Sequence, residues 1–258
     1  MFEQTSTYST DYQSQRLEHN QATETNLYGL NKIIAVGYDQ NKSQRLPISR
    51  YSLKISMIGL GTTGVASGIG LAALGHKVVA VDHDQRKVNA LNQGRVSSVD
   101  LKLKALVKQV RRLNNLVASC DLHHAILSTD LTMICIGNSS IQKTTADTSI
   151  MTSVIEQISA TLQSKRDFHL IVICQPTASA DIQNFIGSDI EQRTGKTLGK
   201  DFGLCFVPLV LKEHQEVGDF YTLPNMSITA SDTRSEILVG KLFNGFKNKI
   251  KFNRYIKM

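Results

Sequence analysis

The chain has 258 residues, 41% of them hydrophobic, which is enough to bury one large core or two smaller ones without disulfide staples. A formal charge of +7, from 29 Lys and Arg against 22 Asp and Glu, suggests a polyanion partner, but the excess is concentrated at one end and binding to nucleic acid is not expected. No basic start leads into an apolar signal core, no run approaches the roughly 18 apolar residues of a membrane span, and the four cysteines form no CxxC pair, so the expectation is a cytoplasmic protein in a reducing compartment, without contact to a membrane.

Residues 1–50 are rich in Gln, Ser, Thr and Asn, balance five acidic against five basic residues, and show little apolar periodicity. Such a composition cannot bury enough surface to offset its ordering entropy, so this leader is expected to be disordered, with KIIAVGY at 32–38 as a short strand or docking segment.

From Leu53 onward, short β-branched runs alternate with helical stretches. LKISMIGL reads as a buried strand, TGVASGIGLAALG as a helix ending at Gly75, and KVVAVD as a second strand. DQRKVNALNQG reads as a helix closed by Gly94, and DLKLKALVKQVRRLNNLV as a long amphipathic stretch. LTMICIG, HLIVICQ, FGLCFVP and NMSITAS follow as strands, with helices SIMTSVIEQISATLQS and SADIQNFIGSDIEQRTG between them. Strands that are apolar along their whole length and alternate with helices belong to a parallel sheet covered on both faces. The expected fold is therefore α/β, a doubly wound, mostly parallel Rossmann-like domain over 51–245, followed by a basic tail at 246–258. The last eighteen residues carry six Lys or Arg and no acid, and read as a solvated helix or a frayed end.

Between the first strand and the first helix lies IGLGTTG, residues 58–64. A pyrophosphate needs close approach of backbone N–H groups, which any Cβ would hold off. Gly59 permits the turn, Gly61 the approach, and Gly64 the packing of helix on strand, so that the helix N-terminus faces the negative charge. Asp82 ends the second strand eighteen positions after Gly64, where a carboxylate accepts bonds from ribose hydroxyls and repels a 2′-phosphate, favouring NAD over NADP. Two other readings stay open: a tight βα turn with Asp82 capping the next helix, and a SAM-dependent methyltransferase, against which the third glycine argues.

KISMIGLGTTGVASGIGLAALGHKVVAVDHDQRKVNALNQGR resembles the start of the nucleotide-sugar 6-dehydrogenases, the UDP-glucose and GDP-mannose dehydrogenases. MICIG and GKDFGLCFVPLVLKEHQEVGDFYTLPNMSITA resemble two further blocks of that family, with the GDP-mannose branch nearest. The likeness covers about residues 53–245 and implies an NAD-binding domain. It places Thr62 and Thr63 against the cofactor, Asp82 and Lys87 at the adenosine ribose, and Gly137 with Asn138 beside the nicotinamide half. Gln175 falls where the family has a threonine that supports water and cofactor. It also implies a nucleotide sugar as second ligand, in a homo-oligomer or with a partner chain.

The departures concern chemistry. Leu209 occupies the position of the family's catalytic glutamate and cannot exchange a proton. The family's nucleophilic cysteine belongs to a C-terminal domain with no counterpart in this sequence. Glu213 reads as a surface residue, Cys174 as a buried structural thiol, and His123, His124 and His214 have no spacing that specifies zinc. No catalytic residue and no metal are assigned. Three functions remain: an NAD-binding protein with impaired or absent oxidation of a sugar primary alcohol, an active oxidoreductase that borrows the missing groups from a partner chain or uses a different substrate, or a non-catalytic interaction module on a Rossmann fold.

Overall fold

The computed structural model describes residues 49–97, 100–136, 145–175, 180–209, 226–244, 246 and 250–254, without the side chains of 145–148, 180–183 and 254. The leader through residue 48, Gly137, Asn138, residues 176–179 and the segment containing Lys212, Glu213 and His214 lie outside these residues.

In chain order the elements are β1 (Lys54–Ile58), α1 (Thr62–Ala73), β2 (Lys77–Val81), α2 (Gln85–Asn92), α3 (Leu101–Arg112), β3 (Leu116–Ser119), α4 (Leu122–Leu127) and β4 (Leu131–Ile134). They continue with α5 (Thr145–Ser164), β5 (His169–Cys174), α6 (Ala180–Thr194), β6 (Phe202–Val207), β7 (Met226–Ala230), α7 (Thr233–Leu242) and β8 (Ile250–Arg254). The strands form one sheet in the order β3-β2-β1-β4-β5-β6-β7-β8. Every neighbouring pair is parallel except β6 with β7. The doubly wound α/β architecture expected from the apolar strands is what the sheet shows.

Both faces of the central strands are covered, which is why β4, β5 and β6 read as continuous apolar runs. One face packs Ile58, Ile134, Ile171, Ile173, Leu204 and Phe206 against Ile155, Ile158 and Leu162 of α5 and Ile186 and Ile190 of α6. On the other face α1 lies so close that a Cβ at Gly68 would touch Met57 and Val78. The order of winding reverses between β1 and β4, which leaves a crevice at the carboxyl ends of those two strands.

The structure departs from the sequence reading in two places. The amphipathic stretch beginning at Asp100 is not one element: α3 stops at Arg112, Asn114 takes a left-handed φ of 52°, and β3 follows. Asparagine tolerates that conformation, and the next residue is fixed by its side chain, with Asn115 Nδ2 donating to Ala72 O at 3.1 Å and Oδ1 accepting from Lys77 Nζ at 2.8 Å. The basic tail also contains a strand. Within it Ile250 and Phe252 alternate with the exposed Lys251 and Asn253, the period of a half-covered edge, and β8 runs parallel to β7 with Met226 opposite Ile250 and Ala230 opposite Arg254. Exposed Lys251 and Asn253 on a sheet edge account for the polarity that reads as a solvated end.

Two fully buried histidines tie the sheet together. His76 Nδ1 accepts from the Leu53 amide at 3.1 Å, so its Nε2 carries the proton and donates to Leu242 O at 3.2 Å, joining the start of β2 to the end of α7. His169 Nε2 contacts Thr132 Oγ1 at 2.7 Å, and Thr132 Oγ1 contacts Ser56 Oγ at 2.6 Å across β5, β4 and β1. Burial pushes His76 from the usual 6.5 down to about 4. Burial, followed by the nearby Lys165 ammonium, pushes His169 down to about 3. In the unfolded chain both titrate near 6.5, so unfolding takes up two protons at pH values between about 4 and 6.5. Stability is full above that window and falls as the pH drops through it. Chemical unfolding followed by tyrosine fluorescence will therefore show stability falling by about 4 kcal/mol between pH 7.5 and pH 5. A stability unchanged over that interval would show that the two imidazoles are charged in the folded protein.

Candidate functional site

The crevice is floored by the turn after β1. Gly59 has φ +98°, a conformation L side chains rarely adopt, and its N–H donates to Val81 O at 2.8 Å. A Cβ there would lie 2.8 Å from the carbonyl oxygen of Cys135, just past β4. A Cβ at Gly64 would lie 1.8 Å from Gly59 O, so the first turn of α1 can rest on the loop only without one. Gly61 differs from both: a Cβ there would meet nothing within 4 Å. It is the N-cap of α1, extended at φ −79° and ψ −174°, and has no side chain to cap the helix. No acid stands in the first turn of α1, so the positive end of the helix dipole faces the crevice without a protein counter-charge on that turn. Thr62 is exposed and Thr63 buried.

Asp82, immediately after β2, is buried and turned towards this loop. Its Oδ2 accepts from the Leu60 amide at 2.8 Å and its Oδ1 from the Asp84 amide at 2.9 Å. Lys87 Nζ, on a half-exposed side chain, lies 3.3 Å from Oδ2, and the exposed His83 Nδ1 lies 3.4 Å from Oδ1. Burial alone would raise the carboxyl pKa; the amides of Asp84 and Leu60 and the Lys87 ammonium outweigh it and hold the group below the usual carboxylate range. The capping alternative for Asp82 does not hold. Asp84 is the N-cap of α2, accepting from the Arg86 amide at 2.9 Å and pairing with the Arg86 guanidinium.

A carboxylate offers about four acceptor directions. Two on Asp82 are taken by backbone amides that cannot leave, and two face Lys87 and His83, whose side chains can swing into solvent. An anion at the Gly61 turn would thus meet a helix N-terminus without a side-chain cap, and a diol at Asp82 would meet two lone pairs once Lys87 and His83 swing away.

The remaining site residues of the sequence reading fall as follows. Gln175, half-buried, follows β5, and its amide donates to Val207 O at 3.1 Å. Leu209 is fully buried, with its amide on Val207 O at 2.7 Å, so the position carries no polar group into the crevice. Gly137 and Asn138 continue from Ile136 outside the described residues. Cys174 is fully buried; a hydrogen bond with Cys135 and then burial push its thiol well up, which disfavours the thiolate a nucleophile needs. Among the described residues no three His, Cys, Asp or Glu side chains come together to hold a metal. His83 and Cys135 escaped the sequence reading. His83 could have been found from its place directly after the acid, whereas the packing of Cys135 under Gly59 joins residues 76 positions apart in sequence and leaves no local signal.

The model of the UDP-glucose/GDP-mannose dehydrogenase family, NAD binding domain, matches residues 53–247. The chain belongs to this family. GDP-mannose 6-dehydrogenase of Pseudomonas aeruginosa is 31% identical over 176 residues, which is 68% of this chain and 40% of that protein. UDP-glucose 6-dehydrogenase of Haloferax volcanii is 29% identical over 191 residues, 74% of this chain and 44% of that one. The crystal structure of the Pseudomonas aeruginosa GDP-mannose dehydrogenase in a ternary complex superposes with a TM-score of 0.73 at 26% identity, covering 79% of this chain and 47% of that chain. A UDP-glucose dehydrogenase from Pyrobaculum islandicum, at 21% identity and TM-score 0.71, shares the fold. The chain thus spans about two fifths of the length of the curated relatives it matches, and the matched part is the family's NAD binding domain. Among the described residues, no helix is long and apolar enough to cross a membrane.

Proposed function

We propose that this chain binds NAD across the β1/β4 crevice and that the chain by itself does not carry out the family's oxidation of a sugar primary alcohol. Gly59 and Gly64 hold the loop against Cys135 and α1, while Gly61, Thr62 and Thr63 receive the pyrophosphate at the end of the helix dipole. Asp82 takes the adenosine ribose with the two lone pairs that Lys87 and His83 give up, and Lys87 moves aside to the edge of that ribose. Gly137, Asn138 and Gln175 border the nicotinamide half. The observation that carries the reading is the Asp82 carboxylate, 2.8 Å from the Leu60 amide and turned towards an open Gly61. NAD supplies hydride acceptance; the chain supplies binding and orientation.

On the chemistry, the family resemblance puts an acid/base carboxylate at position 209, and a fully buried leucine stands there. Removing a positioned general acid or base costs on the order of 10²–10⁴ in rate. Calorimetric titration of the full chain is expected to give one NAD site between micromolar and submillimolar affinity, with NADP at least tenfold weaker because its 2′-phosphate meets Asp82. Incubation with NAD and GDP-mannose or UDP-glucose is expected to give no sustained rise in NADH absorbance. No heat at millimolar NAD would sink the cofactor reading and favour an interaction module. Sustained NADH production would sink the reading of Leu209.

A further inference from the structure

Met57, Cys135 and Cys174 bring three sulfur atoms together beneath the glycine loop. β1, β4 and β5 run side by side, with Ile58 opposite Ile134 and Ile134 opposite Ile173. One step onward Cys135 leaves β4 and Cys174 closes β5, so both thiols project from the sheet face that also carries Met57. Cys135 Sγ lies 3.4 Å from Met57 Sδ, and the Cys174 thiol is hydrogen-bonded with Cys135. The relative exposures of Met57, Cys135 and Cys174 are 0%, 5% and 0%. A Cβ at Gly64 would lie 3.4 Å from Cys135 Cβ, which places the cluster under the first turn of α1.

A core position asks only for apolar volume, and valine or leucine would meet that need. Two adjacent thiols and a thioether also make a soft donor set of the kind that Cu(I), zinc and Fe–S centres take, and because no further His, Cys, Asp or Glu among the described residues joins it, the set fits low-coordinate Cu(I) rather than tetrahedral zinc. We propose that Met57, Cys135 and Cys174 form a three-sulfur site for one soft monovalent cation of the Cu(I) class. On loading, the S–H bonds of Cys135 and Cys174 break, two protons pass to solvent, and two thiolate–metal bonds form; Met57 Sδ adds a third, dative bond. No electron is transferred. Two thiolates alone would bury a charge of −2, whereas with the cation the cluster carries −1, so the ion offsets part of the cost of burying the two thiolates. Cys135, at 5% exposure the least buried of the three, lies beneath Gly59 and Gly64 at the end of β4.

The site is independent of the cofactor reading, because its ligands are counted without NAD. The test uses the full chain carrying Cys120→Ser, which removes the exposed thiol. It is titrated anaerobically with Cu(I) buffered by bicinchoninate, and the metal's neighbours are read by X-ray absorption. The expected result is one Cu(I) per chain with three sulfur neighbours. Adding Cys135→Ser and Cys174→Ser is expected to weaken binding roughly 100-fold or more with the circular dichroism spectrum unchanged. Met57→Leu, which conserves volume, is expected to keep the ion but leave two sulfurs. Undiminished binding after both serine substitutions, no binding by folded Cys120→Ser chain, or a shell of nitrogen and oxygen overturns the proposal. If the serine variant does not fold, Met57→Leu decides alone: a shell that stays at three sulfurs overturns it.

Discussion

Asp82→Asn will weaken NAD binding by about 2–3 kcal/mol, some 30- to 150-fold, and will destabilise the free protein by about 1–2 kcal/mol. The two losses have separate causes. For the ligand, a neutral amide offers fewer acceptor directions than a carboxylate and none of its charge, so at least one ribose hydroxyl loses a charge-assisted bond. For the free protein, the carboxylate accepts from two backbone amides, Leu60 at 2.8 Å and Asp84 at 2.9 Å. Whichever way the asparagine amide is turned, its NH₂ group faces one of those N–H groups, donor against donor, inside a buried site. The variant should also narrow the preference for NAD over NADP, because the charge that repels a 2′-phosphate is gone. Asp84→Asn serves as the control. Asp84 caps α2 and binds Arg86 in solvent, so its loss should leave NAD affinity within twofold of the parent. Calorimetry with both dinucleotides and a thermal melt on each variant decide the matter. Equal NAD affinities for Asp82→Asn and the parent chain would remove the ribose from this residue.

Much of this site was legible in the chain because its determinants are local. Gly59, Gly61 and Gly64 sit within six residues, and the second strand carries Asp82 to its end by a simple apolar run. The parallel sheet was legible for the same reason: burial on both faces writes strands such as LIVIC without polar interruption. β3 was not. It has four residues, its Val117 is 41% exposed on a sheet edge, and it follows a helix whose amphipathic pattern runs smoothly into it. The break lies in Asn114 and Asn115, whose role depends on Ala72 and Lys77 some forty positions away. β8 hid behind Lys251, Asn253 and Arg254. The orientation of Asp82 was likewise beyond the sequence, since only the fold shows that Asp84, two residues on, takes the cap and leaves Asp82 to the loop.

The three loop glycines, equivalent in a motif, are expected to behave differently when each is given a methyl group. At Gly64 the new carbon would lie 1.8 Å from Gly59 O, a backbone atom that can yield only if α1 lifts from β1. Displacing a packed helix in a dense core costs typically about 1–3 kcal/mol and occasionally more, so Gly64→Ala should lower the melting temperature and abolish NAD binding together. At Gly61 the methyl meets nothing within 4 Å and the backbone is in an ordinary region, so Gly61→Ala should melt within a few degrees of the parent. Its methyl nevertheless occupies the space that a pyrophosphate must enter to reach the amides of α1. Gly61→Ala is therefore expected to weaken NAD at least 30-fold, or about 2 kcal/mol, while leaving stability almost untouched. This separation of binding from folding is the measurement with the sharpest consequence. A Gly61→Ala chain that binds NAD as well as the parent would mean that the diphosphate does not approach the loop at that point, and the crevice would need another ligand.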